Sequence, residues 1–281
     1  MPELPEVEVT RRGLLPYLPG RRITKISSSG KRLRLPLPRK LLAGHVLDNT
    51  IITIDRRAKY LLFRMAGGST LVIHLGMTGK LGLLPAHTPT APHDHLRLLL
   101  DDGMELRLND SRRFGCVMVW PSMDAANMEA AFSGRIGVEP LSDDFSAAYL
   151  QQQSRAKKTA LKNFLMDSRI LAGVGNIYAN EILFAAAIHP QTPAKSLTRL
   201  EWETVISSTR RILKQAIRAG GSTISDFLGA GGNPGYFQLQ FQVYNRAGEA
   251  CKRCTTSISK SVIGGRATFY CPRCQPLVPH D

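Results

Sequence analysis

No run of apolar residues in this chain approaches the ~18 that a membrane-spanning helix needs, which excludes an integral protein built on helical spans. The opening residues also lack the basic flank and apolar core of an export signal. They carry Glu3, Glu6 and Glu8 instead, so a cytoplasmic location is expected. Cysteine is scarce. There are five, four of them in two CxxC pairs near the C-terminus, which argues against a disulfide framework and for metal binding in a reducing compartment. No internal repeat is visible. Acidic residues are outnumbered, 22 against 37 Lys and Arg, giving a formal charge of +15 and a pI near 10.0. Such an imbalance points to a polyanionic partner, nucleic acid being the commonest; basicity for solubility or ribosome association would give the same sum.

What is present is ordinary in amount. The 281 residues, 43% hydrophobic and 21% charged, have the composition of a globular protein and suffice for two domains with their own cores. The apolar period predicts a helix from Leu4 that Pro16, Pro19 and Gly20 end, then short strands from about residue 21 to 120. The strands are read at 22–26, 33–35, 51–54, 60–63, 71–73, 96–100, 104–108 and 116–120, a pattern of a sandwich or barrel. The period then becomes helical: 123–132, a helix capped by Asp143-Asp144 and running through Gln153, then 157–166, 176–187 and 197–219, with Gly220-Gly221 as the stop. Gly229 to Gly235 reads as a mobile loop by composition.

The most specific local signal is Cys251-x2-Cys254 followed after sixteen residues by Cys271-x2-Cys274. Two such knuckles present four thiolates tetrahedrally, the closed set of one structural Zn²⁺. Between them, 257–260 and 266–270 read as a hairpin turning at Gly264-Gly265, and residues 246–281 carry six basic and two acidic side chains, fit to face phosphates. Gly173-Val174-Gly175-Asn176 is a glycine-rich turn leaving Asn176 at a helix N-terminus, a phosphate site or merely a connection. Lys157-Lys158 add charge nearby. Arg56-Arg57-Ala58-Lys59 precedes an apolar strand; a solvated edge is the plain reading, but the ammonium of Lys59 could be held inward. Met77 and Phe114 lie in loops between strands, as core filler or as wedges into a base stack.

The first residues carry two readings. Pro2 and Pro5 can simply start a helix whose early glutamates complement its dipole. Alternatively, trimming of Met1 would leave Pro2 as a free secondary amine beside the carboxylate of Glu3. An α-amino group titrates near ~8, low enough to be partly neutral and nucleophilic at physiological pH.

The stretches PELPEVE, RRAKY, HLGM, RRFG, GVGNIYANE and RATFYC with its later cysteine occur here in the order found in the formamidopyrimidine-DNA glycosylase family. The resemblance runs from residue 2 to about 275. Leu4 resembles the purine-specific branch and not the endonuclease VIII branch, which typically opens PEGPE. The resemblance implies an α+β protein with an N-terminal helix and antiparallel β-sandwich at 1–133, a linker at 134–140, a helix–two-turn–helix domain at 141–243 and a zinc finger at 244–281. It implies base excision of oxidised purines, then cleavage at the abasic site, by a monomeric, nucleoid-associated bacterial enzyme on duplex DNA; the alternative is an endonuclease VIII-like preference for oxidised pyrimidines. The implied roles are Pro2 as nucleophile, Glu3 as neighbouring acid and base, and Lys59 and Arg266 in the two eliminations. His93, Arg112, Lys157 and Asn176 match DNA contacts. Met77, Arg112 and Phe114 match the residues that fill the void of an everted base, and the glycine-rich segment after Gly220 matches a loop closing over it. Ser111 stands where a proline often precedes RRFG.

Overall fold

The computed structural model describes residues 2–220 and 241–277. The glycine-rich segment at 229–235, and most of the capping loop expected after Gly220, lie outside them. The chain divides into two compact units, one built on Met1–Ser133 and the other on Gly134–Arg218 with the C-terminal segment.

In the first unit α1 (Leu4–Leu14) starts with a proline in its first turn and buries Leu4, Val7 and Leu14. Two antiparallel four-stranded sheets follow. One has the order β1 (Ile23–Ser28), β6 (Asp94–Leu100), β7 (Met104–Asn109), β5 (Lys80–Pro85). The other runs β2 (Ile51–Arg57), β3 (Tyr60–Met65), β4 (Thr70–His74), β8 (Cys116–Trp120). Alternate residues such as Leu96, Leu98 and Leu100 from one sheet, and Leu61, Phe63, Leu71 and Ile73 from the other, meet in a single core. This is the expected sandwich. The short α2 (Arg39–His45) and α3 (Ala125–Ser133) flank it.

Two local expectations are corrected here, and two elements are added. Leu33-Arg34-Leu35 alternates but forms no strand, because Pro36 and Pro38 remove ladder donors and Pro38 instead precedes α2. Strand β5 and helix α2 went unread, the first because Gly82 and Pro85 blur its pattern. The helix at 147–154 is capped by Ser146, which accepts from the Tyr149 N–H at 3.3 Å, and not by Asp143-Asp144.

The second unit comprises α4 (Ala147–Ser154), α5 (Leu161–Met166), α6 (Asn176–Ala185) and α7 (Arg199–Arg218), and a hairpin of β9 (Ser259–Ile263) and β10 (Arg266–Tyr270). Lys157 precedes α5 and is not part of it, because the chain at Ala160 is extended and bridges Pro193. Helix α6 is buried from Tyr178 through Phe184, as α5, α7 and β10 all pack on it. Gly173 is left-handed (φ 79°) in the double turn that joins α5 to α6.

Candidate active site

Helix α1 and the β2–β3 hairpin are pinned side by side. Glu3 is the N-cap, fully buried, and its backbone N–H donates to the Glu6 carboxylate at 2.9 Å within a capping box. Further along, Glu8 accepts from Arg11 Nη2 at 2.8 Å and Arg12 Nε at 2.7 Å, and from Arg56 Nε of β2 at 3.2 Å. Burial would raise this carboxyl, but the three guanidiniums outweigh it and bring its pKa down to about 2. Arg11 Nη1 also donates to Ile54 O at 3.2 Å.

Glu8 opposite Arg56 and Arg11 opposite Ile54 mean that helix and strand run in opposite senses. Stepping back from Glu8 to Glu3 covers ~7.5 Å of helix, and stepping forward from Arg56 covers one more strand residue, ~3.3 Å, before the hairpin turns. Both steps lead to the same end of the unit. The start of α1, with Pro2 and Glu3, and the β2–β3 turn, with Lys59, therefore lie toward the same end of the α1–β2 pair.

Ala58 and Lys59 form the two-residue turn closed by the Arg57–Tyr60 pair, with Ala58 left-handed at φ 53°. Lys59 is partly buried, as its position before an apolar strand allowed. Its charge reaches His74, whose ring centroid is 4.7 Å from that of Tyr60. Burial first, then the cations of Lys59 and Arg34, lower the His74 pKa to about 4, so a neutral imidazole lies near the ammonium at physiological pH.

Met77 and Phe114 project from adjoining loops, 37% and 44% exposed, and Arg112 Cζ lies 4.8 Å over the Phe114 ring. Gly76 (φ 66°) lets the loops touch, since a Cβ there would sit 2.3 Å from the Phe114 carbonyl carbon. His93, left-handed at φ 73°, ends a loop that the buried Arg107 clamps by donating to Thr88 O (2.6 Å), Pro89 O (2.9 Å) and Glu105 (2.6 Å).

In the second unit, Asn176 opens α6 and its Nδ2 donates to Ala267 O at 3.1 Å. The buried Lys162 donates to the same carbonyl at 2.9 Å and to Thr268 Oγ1 at 2.8 Å, while Asn180 Oδ1 accepts from the Phe269 N–H at 2.8 Å. These side chains brace β10, which starts at the exposed Arg266 beside the left-handed Gly264 and Gly265. Lys157 Nζ lies 5.9 Å from the centroid of the Phe164 ring. Glu181 receives the backbone N–H groups of Gln242, Val243 and Tyr244 at 2.9, 2.9 and 2.8 Å. Asp110, Lys162 and Glu181 were not singled out in the sequence, because Thr78, Ala267–Thr268 and residues 242–244, which they bind, lie far from them in the chain.

The four knuckle cysteines bring their sulfurs within 4.8 Å of one another. Cys254–Cys271 and Cys251–Cys274 are 3.4 and 3.9 Å apart, bracketing the ~3.8 Å edge of a tetrahedron with ~2.3 Å zinc–sulfur bonds. The Arg253 and Cys274 N–H groups each point at a sulfur at 3.4 Å. As bare thiols the groups split: hydrogen bonding to Thr256 draws Cys254 down to about 6, while burial and its neighbours push Cys274 up to about 12. Four clustered thiolates thus need a cation, and Cys251, Cys254, Cys271 and Cys274 fit one structural Zn²⁺.

A sandwich, a helix–two-turn–helix and a four-cysteine hairpin fit for zinc, in a chain of charge +15, define a nucleic-acid-binding protein. Residues 1–117 match the formamidopyrimidine-DNA glycosylase N-terminal domain, 136–228 the corresponding H2TH domain, and 248–277 the zinc finger found in FPG and IleRS. The formamidopyrimidine-DNA glycosylases of Edwardsiella ictaluri and Geotalea uraniireducens are each 48% identical, over 98% of this chain and all of theirs. The Lactococcus lactis Fpg in complex with DNA containing an abasic site superposes with a TM-score of 0.87 at 33% identity, over 98% of this chain and 100% of that one. MutM in complex with DNA containing carbocyclic 8-oxo-G gives 0.88 at 34%, with the same coverage. The chain belongs to the formamidopyrimidine-DNA glycosylase family, enzymes of base-excision repair. No helix among the described residues is long and apolar enough to cross a membrane.

Proposed function

We propose that the protein excises oxidised purines, 8-oxoguanine and formamidopyrimidines, from duplex DNA and cleaves the abasic strand through an amine at Pro2. One observation supports the reading: α1 is pinned antiparallel on β2, so that the helix start, with Pro2 and the buried Glu3, and the turn with Lys59 lie toward the same end of that pair. The target base must leave the stack before C1′ can be reached, and Met77, Arg112 and Phe114 fill the space it vacates. The Pro2 nitrogen attacks C1′, the bond from C1′ to the base breaks, and the leaving base takes up a proton. Glu3 assists opening of the sugar, which leaves an iminium. The iminium acidifies C2′–H; loss of that proton expels the 3′ phosphate, and a second elimination expels the 5′ phosphate. Lys59 serves the first elimination. Arg266 acts chiefly by holding departing phosphate charge, since a guanidinium is a poor proton donor. His93, Lys157 and Asn176 hold the backbone, Asn176 at the positive end of α6.

Borohydride should trap a covalent adduct of the methionine-trimmed protein with an 8-oxoguanine duplex, and a chain retaining Met1 should give none. No adduct from the trimmed protein would refute the reading. A thymine glycol duplex should be trapped more slowly, and the reverse order would favour the pyrimidine preference.

A further inference from the structure

Asp110 follows β7 directly and is 0% exposed. A buried carboxylate needs a reason, and its bonds supply one. Oδ1 accepts from Thr78 Oγ1 at 2.5 Å, and Oδ2 from the Gly115 N–H at 2.7 Å. Its carbonyl accepts from the Arg113 N–H at 3.2 Å and lies 3.1 Å from His95 Nε2, while its own N–H donates to His93 O at 3.0 Å. Thr78 carries the link onward, accepting from the Arg112 N–H at 3.1 Å. One side chain thus ties the residue after Met77 to the residue after Phe114, and reaches Arg112 through a hydroxyl. The backbone of the same residue ties Arg113 and His93. On the far side His95 Nδ1 is 2.8 Å from Ser29 Oγ, which anchors the assembly to the sandwich.

The wedge needs such a device. Met77 and Phe114 stand out of the surface, 37% and 44% exposed, on loops that approach closely at Gly76. Side chains that must enter a base stack together lose their effect if their bases drift by about an ångström. We infer that Asp110 is a positioning residue that sets the mutual placement of Met77, Arg112 and Phe114 and so governs base eversion rather than the chemistry at the sugar. The inference rests on the wedge role proposed above for those three residues.

The test separates eversion from chemistry. Single-turnover cleavage is measured on a duplex with 8-oxoguanine opposite cytosine, and on the same duplex with a ready-made abasic site, which has no base to extrude. Asp110→Ala should lose on the order of tenfold or more on the first and less than about threefold on the second. Asp110→Asn should restore the first rate, because its amide oxygen can accept from Gly115 and its amide NH2 can donate to the Thr78 hydroxyl. Should Asp110→Ala not fold, Thr78→Val decides; it cuts only the hydroxyl link and should show the same selective loss. Equal losses on both substrates, or none, would overturn the inference. The double variant Met77→Ala/Phe114→Ala is run alongside. If it too fails to distinguish the substrates, the wedge reading falls; if it distinguishes them and Asp110→Ala does not, only the role of Asp110 falls.

Discussion

Glu8 shows how single residues hold the first helix in place. Its carboxylate is buried yet ionised, because three guanidiniums offset the loss of water and lower its pKa from 4.5 to about 2. A folded-state value below the unfolded one stabilises the protein fully above about 4.5, and that contribution disappears as pH falls toward 2. Glu8→Gln should therefore cost about 1–3 kcal/mol at pH 7, and much less at pH 3, when urea unfolding is compared at the two pH values. Equal costs at both would mean that the charge is irrelevant. The variant should also weaken cleavage, since the Glu8–Arg56 bond helps to set α1 against β2.

At the level of elements, the zinc hairpin is as much scaffold as metal site. Cys251, Ile258, Phe269 and Cys271 form a small core with Val243 and Phe184 of the helical part, and Lys162, Asn176 and Asn180 brace β10. Removing zinc with a strong chelator should release this core, lower the unfolding temperature and abolish strand cleavage, with readdition of zinc restoring both. Chelated, metal-free protein that still cleaves at full rate would contradict this. The hairpin was legible in the sequence because cysteine spacing and paired glycines encode it within twenty-four residues, 251–274. Strand β5 was not, since Gly82 interrupts its period, and neither was the cap at Ser146, where two aspartates offered a plausible start a turn too early. Asp110 and Glu181 were illegible for a different reason. Their meaning lies in partners that only the fold brings near, the Thr78 hydroxyl 32 residues from Asp110 and backbone N–H groups up to 63 residues from Glu181.

Across the whole molecule, the excess of 37 basic over 22 acidic residues is the sequence's plainest statement about a partner. With Lys157 and Arg266 each neutralising one phosphate, log K for duplex DNA should fall with log salt at a slope of about −1.8 or steeper, and Lys157→Ala should flatten it by about 1. A salt-independent affinity would remove the phosphate clamp from the account. Charge alone, however, identifies no chemistry. The proposed chemistry belongs to the start of α1 and the β2–β3 turn, which lie toward the same end of the α1–β2 pair. The direct measurement is mass spectrometry of peptides from the protein reduced with borohydride on an 8-oxoguanine duplex. The account predicts that the sugar remnant sits on the nitrogen of Pro2, with Met1 gone. A remnant on Lys59 or elsewhere, or efficient cutting by a protein whose first nitrogen is capped, would contradict it.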